Sequence, residues 1–366
     1  AGDMFTLFIF WEMMGITSYS IVAFRKELWG PIEAGFKYMI MGSIGSTILF
    51  FGMALLYGMS GTLNFAQLSS VLRGQPVNMW YNLIFTLLII GFGVKSAIVP
   101  MHTWLPDAHP EAPSPISAML SGIFIETGLY AMIRVLFILF EPSFFKIPLA
   151  ALAIITMTLG NFLALGQDDV KRLLAYSSIA QIGYMLIGLS TGLVYGLMGT
   201  MLHIFNHSLM KGLAFLSAGS IVHEAGTRDI NELKGIGRMM PITTMALIVS
   251  FLGLGGVPGT NGFISKFVLF NSTLGSGLLI LAVFGVLNSA LSMVYYLRVI
   301  MSLISEDTAG EIEVTEPPIL MVGVTIIMAI LIIALGFFPN PVVSIASEAS
   351  EALIDGLGNY IGAVLS

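Results

Sequence analysis

Residues 94–124 read VKSAIVPMHTWLPDAHPEAPSPISAMLSGIF. The stretch begins inside an apolar run and places Lys95 where a membrane-spanning segment tolerates a charge least. Five residues on, Pro100 removes a helix hydrogen bond and opens the backbone. A polar loop follows with His102, Asp107, His109, Glu111 and four prolines, and then another long apolar run. A buried ionisable side chain beside a helix breaker is the pattern of a membrane ion pathway. The rest of the chain must then supply partners for Lys95.

The composition fits that setting. Of 366 residues, 56% are hydrophobic and 10% are charged, against about 25% charged in soluble domains. This is the composition of an all-α polytopic membrane protein. No basic block exists that would hold a nucleic acid. The absence of cysteine excludes disulfides, thiolate zinc sites and iron–sulfur ligation by this chain. The 23 methionines read as core filler. The chain opens Ala1-Gly2-Asp3 and enters an apolar helix at once, which reads as the interior of a longer protein without a signal peptide.

Apolar runs long enough for a hydrocarbon core of roughly 30 Å fall at about 4–24, 34–60, 80–100, 114–140, 147–167, 170–191, 194–222, 240–270, 274–304 and 317–338. They predict about ten transmembrane helices. The third is interrupted at Pro100, and the eighth at GLGGVPG, residues 253–259, which contains Pro258. Residues 62–73 read as a short interfacial helix, the loop 306–318 as acidic and solvent-facing, and 342–366 as an amphipathic helix lying on the membrane or on a neighbouring subunit. Arg25, Lys26, Lys37, Lys171, Arg172, Arg228, Lys234 and Arg238 lie in odd-numbered connections; Arg73 and Lys146 lie in even ones. That bias assigns the odd connections to the cytoplasm. Lys171 and Arg172, beside Asp168 and Asp169, read as a turn and cytoplasmic anchors.

The three remaining lysines, Lys95, Lys211 and Lys266, all fall inside predicted spans. Burial favours a neutral amine and a nearby carboxylate favours the ammonium, so moving a partner switches the charge. That is the requirement for a proton relay. Two acids can serve, Glu12 in FIFWEMMG and Glu126 in GIFIETGLY; an ion pair joining two helices is the plainer use of either. His203, His207 and Lys211 step by four along one helix face, roughly 6 Å per step. Two histidines at that spacing can chelate, but no acidic or cysteine ligand lies nearby in sequence, so a hydrated proton path is preferred and no metal is expected. Lys266 follows the second break as Lys95 precedes the first. The five-segment offset predicts two inverted repeats: residues 1–140 with the break near Pro100, and 141–305 with the break near Pro258. Residues 306–366 add the acidic loop, the last span and the tail. Asp107, His109 and Glu111 either close the cytoplasmic end of the Lys95 site or form a solvated loop. Ser177, Ser178 and Tyr184 are placed to hydrogen-bond across helices.

Four motifs in order, KSAIVPMHTWLPDAHPEAPSPISAML, KRLLAYSSIAQIGYM, HIFNHSLMKGLAFLSAGSI and GGVPGTNGFISKF, resemble the antiporter-like subunits of respiratory complex I and of Mrp-type cation/proton antiporters. Related subunits occur in membrane-bound hydrogenases. The wording is nearest the Mrp D-subunit and hydrogenase H-subunit branch. The resemblance implies a bundle of inverted five-helix repeats with two broken helices, of which this chain carries the fifth helix onward. It implies that Glu12 pairs with Lys95, that His203, His207 and Lys211 form the central column, and that Lys266 is the exit-side lysine. Glu126 departs from the pattern, standing where many members carry a lysine, and is a possible second partner for Lys95.

The expected function is translocation of protons, or of another cation, by a subunit of a redox-driven complex of the cell membrane. The relay would comprise Glu12, Lys95, Glu126, His203, His207, Lys211 and Lys266. No redox motif and no cofactor are expected in this chain, so the driving reaction belongs to other membrane and redox subunits. The alternatives are a Na+/H+-exchanging subunit of an Mrp-type antiporter and a structural subunit without a complete channel.

Overall fold

The computed structural model describes residues 1–73, 76–306 and 314–365. Among these, sixteen α-helices follow one another: α1 (Met4–Val22), α2 (Trp29–Ser60), α3 (Phe65–Leu72), α4 (Met79–Lys95), α5 (Leu105–Glu111), α6 (Ser114–Met119), α7 (Ile125–Leu139), α8 (Pro142–Leu165), α9 (Val170–Thr191), α10 (Val194–Ala225), α11 (Pro241–Gly255), α12 (Asn261–Ser276), α13 (Leu279–Ile304), α14 (Ile319–Phe337), α15 (Asn340–Ile354) and α16 (Leu357–Leu365). A π-helical turn, Leu120–Phe124, joins α6 to α7 into one rod. Seven helical rods are long and apolar enough to cross a membrane, and α4 and α11 are shorter apolar helices. The ten expected runs each correspond to a helix or a helix pair. Most of the acidic loop 306–318 lies outside the described residues.

Both breaks are present. Pro100 lies in the non-helical stretch between α4 and α5, and Pro258 in the turn between α11 and α12. At the first, Ala97 adopts a left-handed backbone with φ 51°, an uncommon conformation for a residue with a Cβ. Trp104 Nε1 donates to the Val94 carbonyl at 2.7 Å and so satisfies a backbone group that the helix end leaves free. At the second, Gly256 has φ 81°, and a Cβ there would come within 2.9 Å of the Lys266 side chain. Glycine is required on both counts.

The packing is inverted relative to a soluble protein. α9 is 94% buried over its most apolar window, with mean hydropathy 1.4; α14 is 17% buried, with mean hydropathy 2.9. The more polar helix sits at the centre because its side chains find partners there, and the more apolar one faces outward. Close backbone approach builds that centre: a Cβ on Gly183 of α9 would lie 2.4 Å from the Met157 amide nitrogen of α8.

The cations of the odd connections meet at one end of the bundle. Asp107 bridges Lys37 (3.1 Å) and Arg172 (3.2 Å). Glu111 pairs with Arg228 at 3.1 Å, and Arg228 also reaches Asp169 at 3.2 Å. Arg25 donates to the Glu111 carbonyl at 2.7 Å. The Asp107–Glu111 segment is therefore clamped to α2, α9 and the end of α10, not a free solvated loop. In the even connections Arg73 donates to the Phe137 carbonyl at 2.8 Å and Lys146 to the Ser276 carbonyl.

The tail differs from expectation. It forms two helices, and α15 packs on the chain's own α10 and α7. Ala346 joins Met198, Leu202 and Val268 in a small core, while Glu348, Glu351 and Asp355 stay exposed. Part of its apolar face is thus covered by the bundle, while Ile345, Val364 and Leu365 remain exposed. The short helix expected at 62–73 is α3, capped by Asn64, whose side chain accepts from the Ala66 and Gln67 amides.

Candidate functional site

The expected site residues lie in buried positions on α4, α7, α10 and α12, with Glu12 on α1 half-buried. They fall into three clusters around the two breaks.

The first cluster surrounds Lys95, the last residue of α4, which is 3% exposed. Its Nζ has no hydrogen-bond partner in the protein. It lies 5.6 Å from the Trp11 ring, 5.4 Å from Tyr19 and 5.9 Å from Tyr38. Three aromatic faces hold an ammonium through their quadrupoles, worth about 2 kcal/mol when desolvated. The cage is itself fixed. Tyr38 stacks on Trp104 with centroids 3.8 Å apart and meets the Ser18 hydroxyl at 3.1 Å, so the residues of the break brace the rings that face Lys95. Among the described ion pairs none joins Lys95 to Glu12. α1 thus presents the rings of Trp11 and Tyr19 to Lys95. Trp11 and Tyr19 escape a sequence reading because aromatic residues are ordinary in membrane helices. Their one signal is the eight-residue spacing that puts them on the same face of α1.

The second cluster is central. Glu126, 3% exposed, follows the π-turn directly, a local irregularity that is frequent at functional sites. Its Oε1 meets His207 Nδ1 at 2.5 Å. Ser208 Oγ lies in hydrogen-bond contact with both its Oε2 and the Gly122 carbonyl in the π-turn, its single proton serving one or being shared between them. Glu126 therefore pairs with the histidine column and not with Lys95, contrary to the possibility that it competes with Glu12. Gly128 is the position of α7 that faces Lys95, and Glu126, two residues earlier and so about 200° around the helix, faces α10, where Gly122 permits close approach, with the Ser208 carbonyl 3.0 Å from where a Cβ would stand.

His203 is bonded on both sides, Nδ1 to Ser265 Oγ at 2.8 Å and Nε2 to Gln181 Oε1 at 2.9 Å. The two histidine rings lie 6.3 Å apart. Lys211, at the other end of the column, donates to the Leu174 carbonyl at 2.8 Å and to the Ser177 hydroxyl. Ser178 meets Ser121 at 2.7 Å and Tyr184 accepts from Asn161 at 3.3 Å, so these three residues do bond across helices. The bonded ring nitrogens are directed at Glu126, Gln181 and Ser265, not at a common point, and His207 Nε2 has no hydrogen-bond partner in the protein. Among the described residues no group of three or more His, Asp or Glu side chains could hold a metal ion.

The third cluster holds Lys266 on α12. Its Nζ donates to the Leu254 carbonyl at 2.7 Å and to Ser289 Oγ at 2.9 Å, and lies 4.5 Å from the Tyr184 ring. The Leu254 carbonyl is freed by the end of α11 and also accepts from Gln181 Nε2 at 3.1 Å. One backbone oxygen thus joins His203, through Gln181, to Lys266. Gln181 and Ser265 lie inside two of the quoted motifs but receive no role from them, although Ser177 and Gln181 stand four apart on α9, a polar stripe on an otherwise apolar helix.

With the geometry in place, the comparison with other proteins is direct. Residues 1–292 match the family described as NADH:quinone oxidoreductase/Mrp antiporter, transmembrane. The chain belongs to this family. It is 33% identical over 369 residues to F(420)H(2) dehydrogenase subunit N of Methanosarcina mazei, covering 97% of this chain and 74% of that protein. It is 35% identical over 363 residues to NADH-quinone oxidoreductase subunit N of Trichlorobacter lovleyi, covering 96% and 74%. A chain in the structure of the membrane-bound sulfane sulfur reductase, an archaeal respiratory membrane complex, superposes with TM-score 0.89 and 31% identity, over 99% of this chain and 74% of that one. The antiporter-like resemblance and the all-helical multi-pass fold both stand. This is an antiporter-like, multi-pass protein of the cell membrane.

Proposed function

We propose that this chain carries protons across the membrane along a buried line of groups, as one membrane subunit of a redox-driven complex. The observation that carries the reading is the Glu126–His207 pair, 2.5 Å apart and shut off from solvent. A carboxylate and an imidazole at that separation can share one proton, as a carboxylate–imidazolium or a carboxylic acid–imidazole pair, and the exchange moves charge without moving backbone. The neighbouring groups respond to that charge. His203 holds Gln181, and Gln181 shares the Leu254 carbonyl with Lys266. The carbonyl itself carries no proton. It couples the two donors, since weakening one bond to it strengthens the other. Lys95, held among the rings of Trp11, Tyr19 and Tyr38, supplies the charge that this line faces on the side of the first break. The named relatives above 30% identity are dehydrogenase and respiratory-complex proteins, which favours a redox-driven partner assembly of membrane and redox subunits over free-standing Na+/H+ exchange.

The test uses the intact complex in sealed vesicles, with proton uptake followed by a pH dye during turnover. Lys95→Met, Lys266→Met and Glu126→Gln should each suppress translocation while the complex still assembles. Transport that follows a sodium gradient and persists in these variants would reject the reading in favour of sodium exchange. Normal proton uptake in all three would leave a structural subunit.

A further inference from the structure

Arg134 lies on α7, near the end of the helix at Leu139, roughly 8 Å inside that end. The chain's other arginines each bond a carbonyl or a carboxylate. Among the described residues Arg134 has no ion pair and no hydrogen bond; its guanidinium carbon lies 5.6 Å from the centre of the Phe65 ring. It lines a pocket of about 360 Å³ between α7, α10 and the tail helices, within the range of about 300–1,000 Å³ usual for small-ligand sites. Arg134 is the one charged side chain in its wall. Tyr130 and Tyr360 add two hydroxyl groups, and Met201, Ala352 and Leu353 are apolar. The acidic side chains of the tail, Glu348, Glu351 and Asp355, are exposed and form no part of that wall.

The seam between α7 and α10 continues from this pocket toward the middle of the bundle. Arg134, Tyr130, Thr127 and Ile123 step by four, three and four, the spacing of one helix face. Tyr130, Thr127 and Ile123 are exposed, and so is Phe205, four residues after Met201 on α10. Ile123 and Phe205 line a second groove of about 500 Å³, whose wall is apolar apart from Ser208. From Arg134 to Ile123 the rod runs roughly 16 Å, about half of a 30 Å hydrocarbon core. Arg73, which bonds the Phe137 carbonyl near the end of α7, marks the membrane surface on this side. A charged pocket one turn below that surface thus leads into an apolar groove one leaflet deep.

We propose that this seam binds one anionic phospholipid, with its phosphate on Arg134 and an acyl chain laid along α7 and α10 toward Ile123 and Phe205. A guanidinium presents a planar fork of donors that matches a phosphate, and the charge-assisted bonds are strong where water is scarce. Tyrosines at the membrane interface, apolar along the ring and polar at the tip, suit the level of the ester and phosphate oxygens. Free phosphate would satisfy the arginine and leave the groove uncovered. A neutral apolar molecule would fill the groove and leave the arginine unpaired. A zwitterionic lipid brings its own cation close to its phosphate and so gains less from Arg134. Because Ala352, Leu353 and Tyr360 form part of the wall, the bound lipid also joins the tail helices to the bundle.

The experiment follows binding of phosphatidylglycerol, phosphatidylcholine and inorganic phosphate to the delipidated intact complex by native mass spectrometry. Arg134→Gln removes the charge, and Ala352→Phe fills the pocket from an exposed position while the charge stays. The wild type should hold one tight phosphatidylglycerol more per copy of this chain than either variant, with affinity at least about tenfold above that of the variants and of phosphatidylcholine. Phosphatidylglycerol binding that is equal in the wild type and in either variant would overturn the site. Equal affinity for phosphatidylcholine would overturn the anionic preference, and equal affinity for inorganic phosphate would overturn the lipid. If one variant fails to assemble, the other variant and the three wild-type affinities decide. The chain has no cysteine, so Ala352→Cys gives a single cross-linking point on it; efficient cross-linking there to another subunit, in place of lipid, would show a protein occupant and overturn the proposal.

Discussion

Lys95 and Lys266 stand at corresponding helix breaks, yet they are held in opposite ways. Lys95 makes no hydrogen bond and rests among Trp11, Tyr19 and Tyr38. Lys266 makes two hydrogen bonds, to the Leu254 carbonyl and Ser289, and touches one ring, Tyr184. Rings attract a cation from a broad range of directions; lone pairs fix a donor at one distance and angle. The difference teaches that the break at Pro100 leaves its lysine free to respond to a charge, while the break at Pro258 anchors its lysine to the backbone opening itself.

The largest expected effect tests that contrast directly. Lys95→Met and Lys266→Met should both reduce translocation on the order of 100-fold or more. Their stabilities should diverge. Replacing Lys95 removes a buried charge that has no hydrogen bond, so the thermal midpoint of the purified protein should stay level or rise. Replacing Lys266 deletes two buried hydrogen bonds, leaving the Leu254 carbonyl to Gln181 and the Ser289 hydroxyl to the Gly255 carbonyl, and should cost about 1–3 kcal/mol. Equal destabilisation in the two variants would erase the distinction.

Next in size is Glu126→Gln, which keeps the shape of the side chain but cannot share a proton with His207. Translocation should fall at least about tenfold, with a stability loss of about 1–2 kcal/mol from the altered bonds to His207 and Ser208. If instead Glu126 served only to tie α7 to α10, stability would fall and the rate per assembled complex would not.

Smaller effects sharpen the two lysine environments. Tyr38→Leu removes one wall of the Lys95 cage and about 1 kcal/mol of cation attraction, so uptake should drop several-fold; a matching change at Lys266 is not expected. Ser289→Ala deletes one of the two bonds to Lys266, worth about 1 kcal/mol, and should slow uptake by about fivefold or less. A larger loss in Ser289→Ala than in Tyr38→Leu would reverse the assignment of which lysine is anchored.

Much of the fold was legible in the chain. The apolar runs, both interruptions and the buried lysines follow from one constraint: hydrocarbon cannot satisfy a peptide group or an ion, so spans are long, apolar and helical, and exceptions stand out. The column His203, His207 and Lys211 was legible for the same reason, at a fixed spacing on one helix. Less legible was everything that depends on two helices at once. Lys171 reads as a cytoplasmic anchor because it follows Asp168 and Asp169 in a turn, yet it is buried between the Pro110 and Ala112 carbonyls. The tail reads as surface-bound because it is amphipathic, and one side of it packs on the chain's own α10 and α7. An amphipathic face tells that it is covered and not by what.

By itself, then, the sequence determined that ionisable groups lie inside a helical membrane bundle with two broken helices. Only the tertiary structure decided which groups meet. Glu126 and His207 are 81 positions apart, and each residue added to a helix turns its side chains by about 100°. Gly128 meets Lys95 while Glu126, two positions earlier, meets α10, which is why a local reading could name the participants but not their partners.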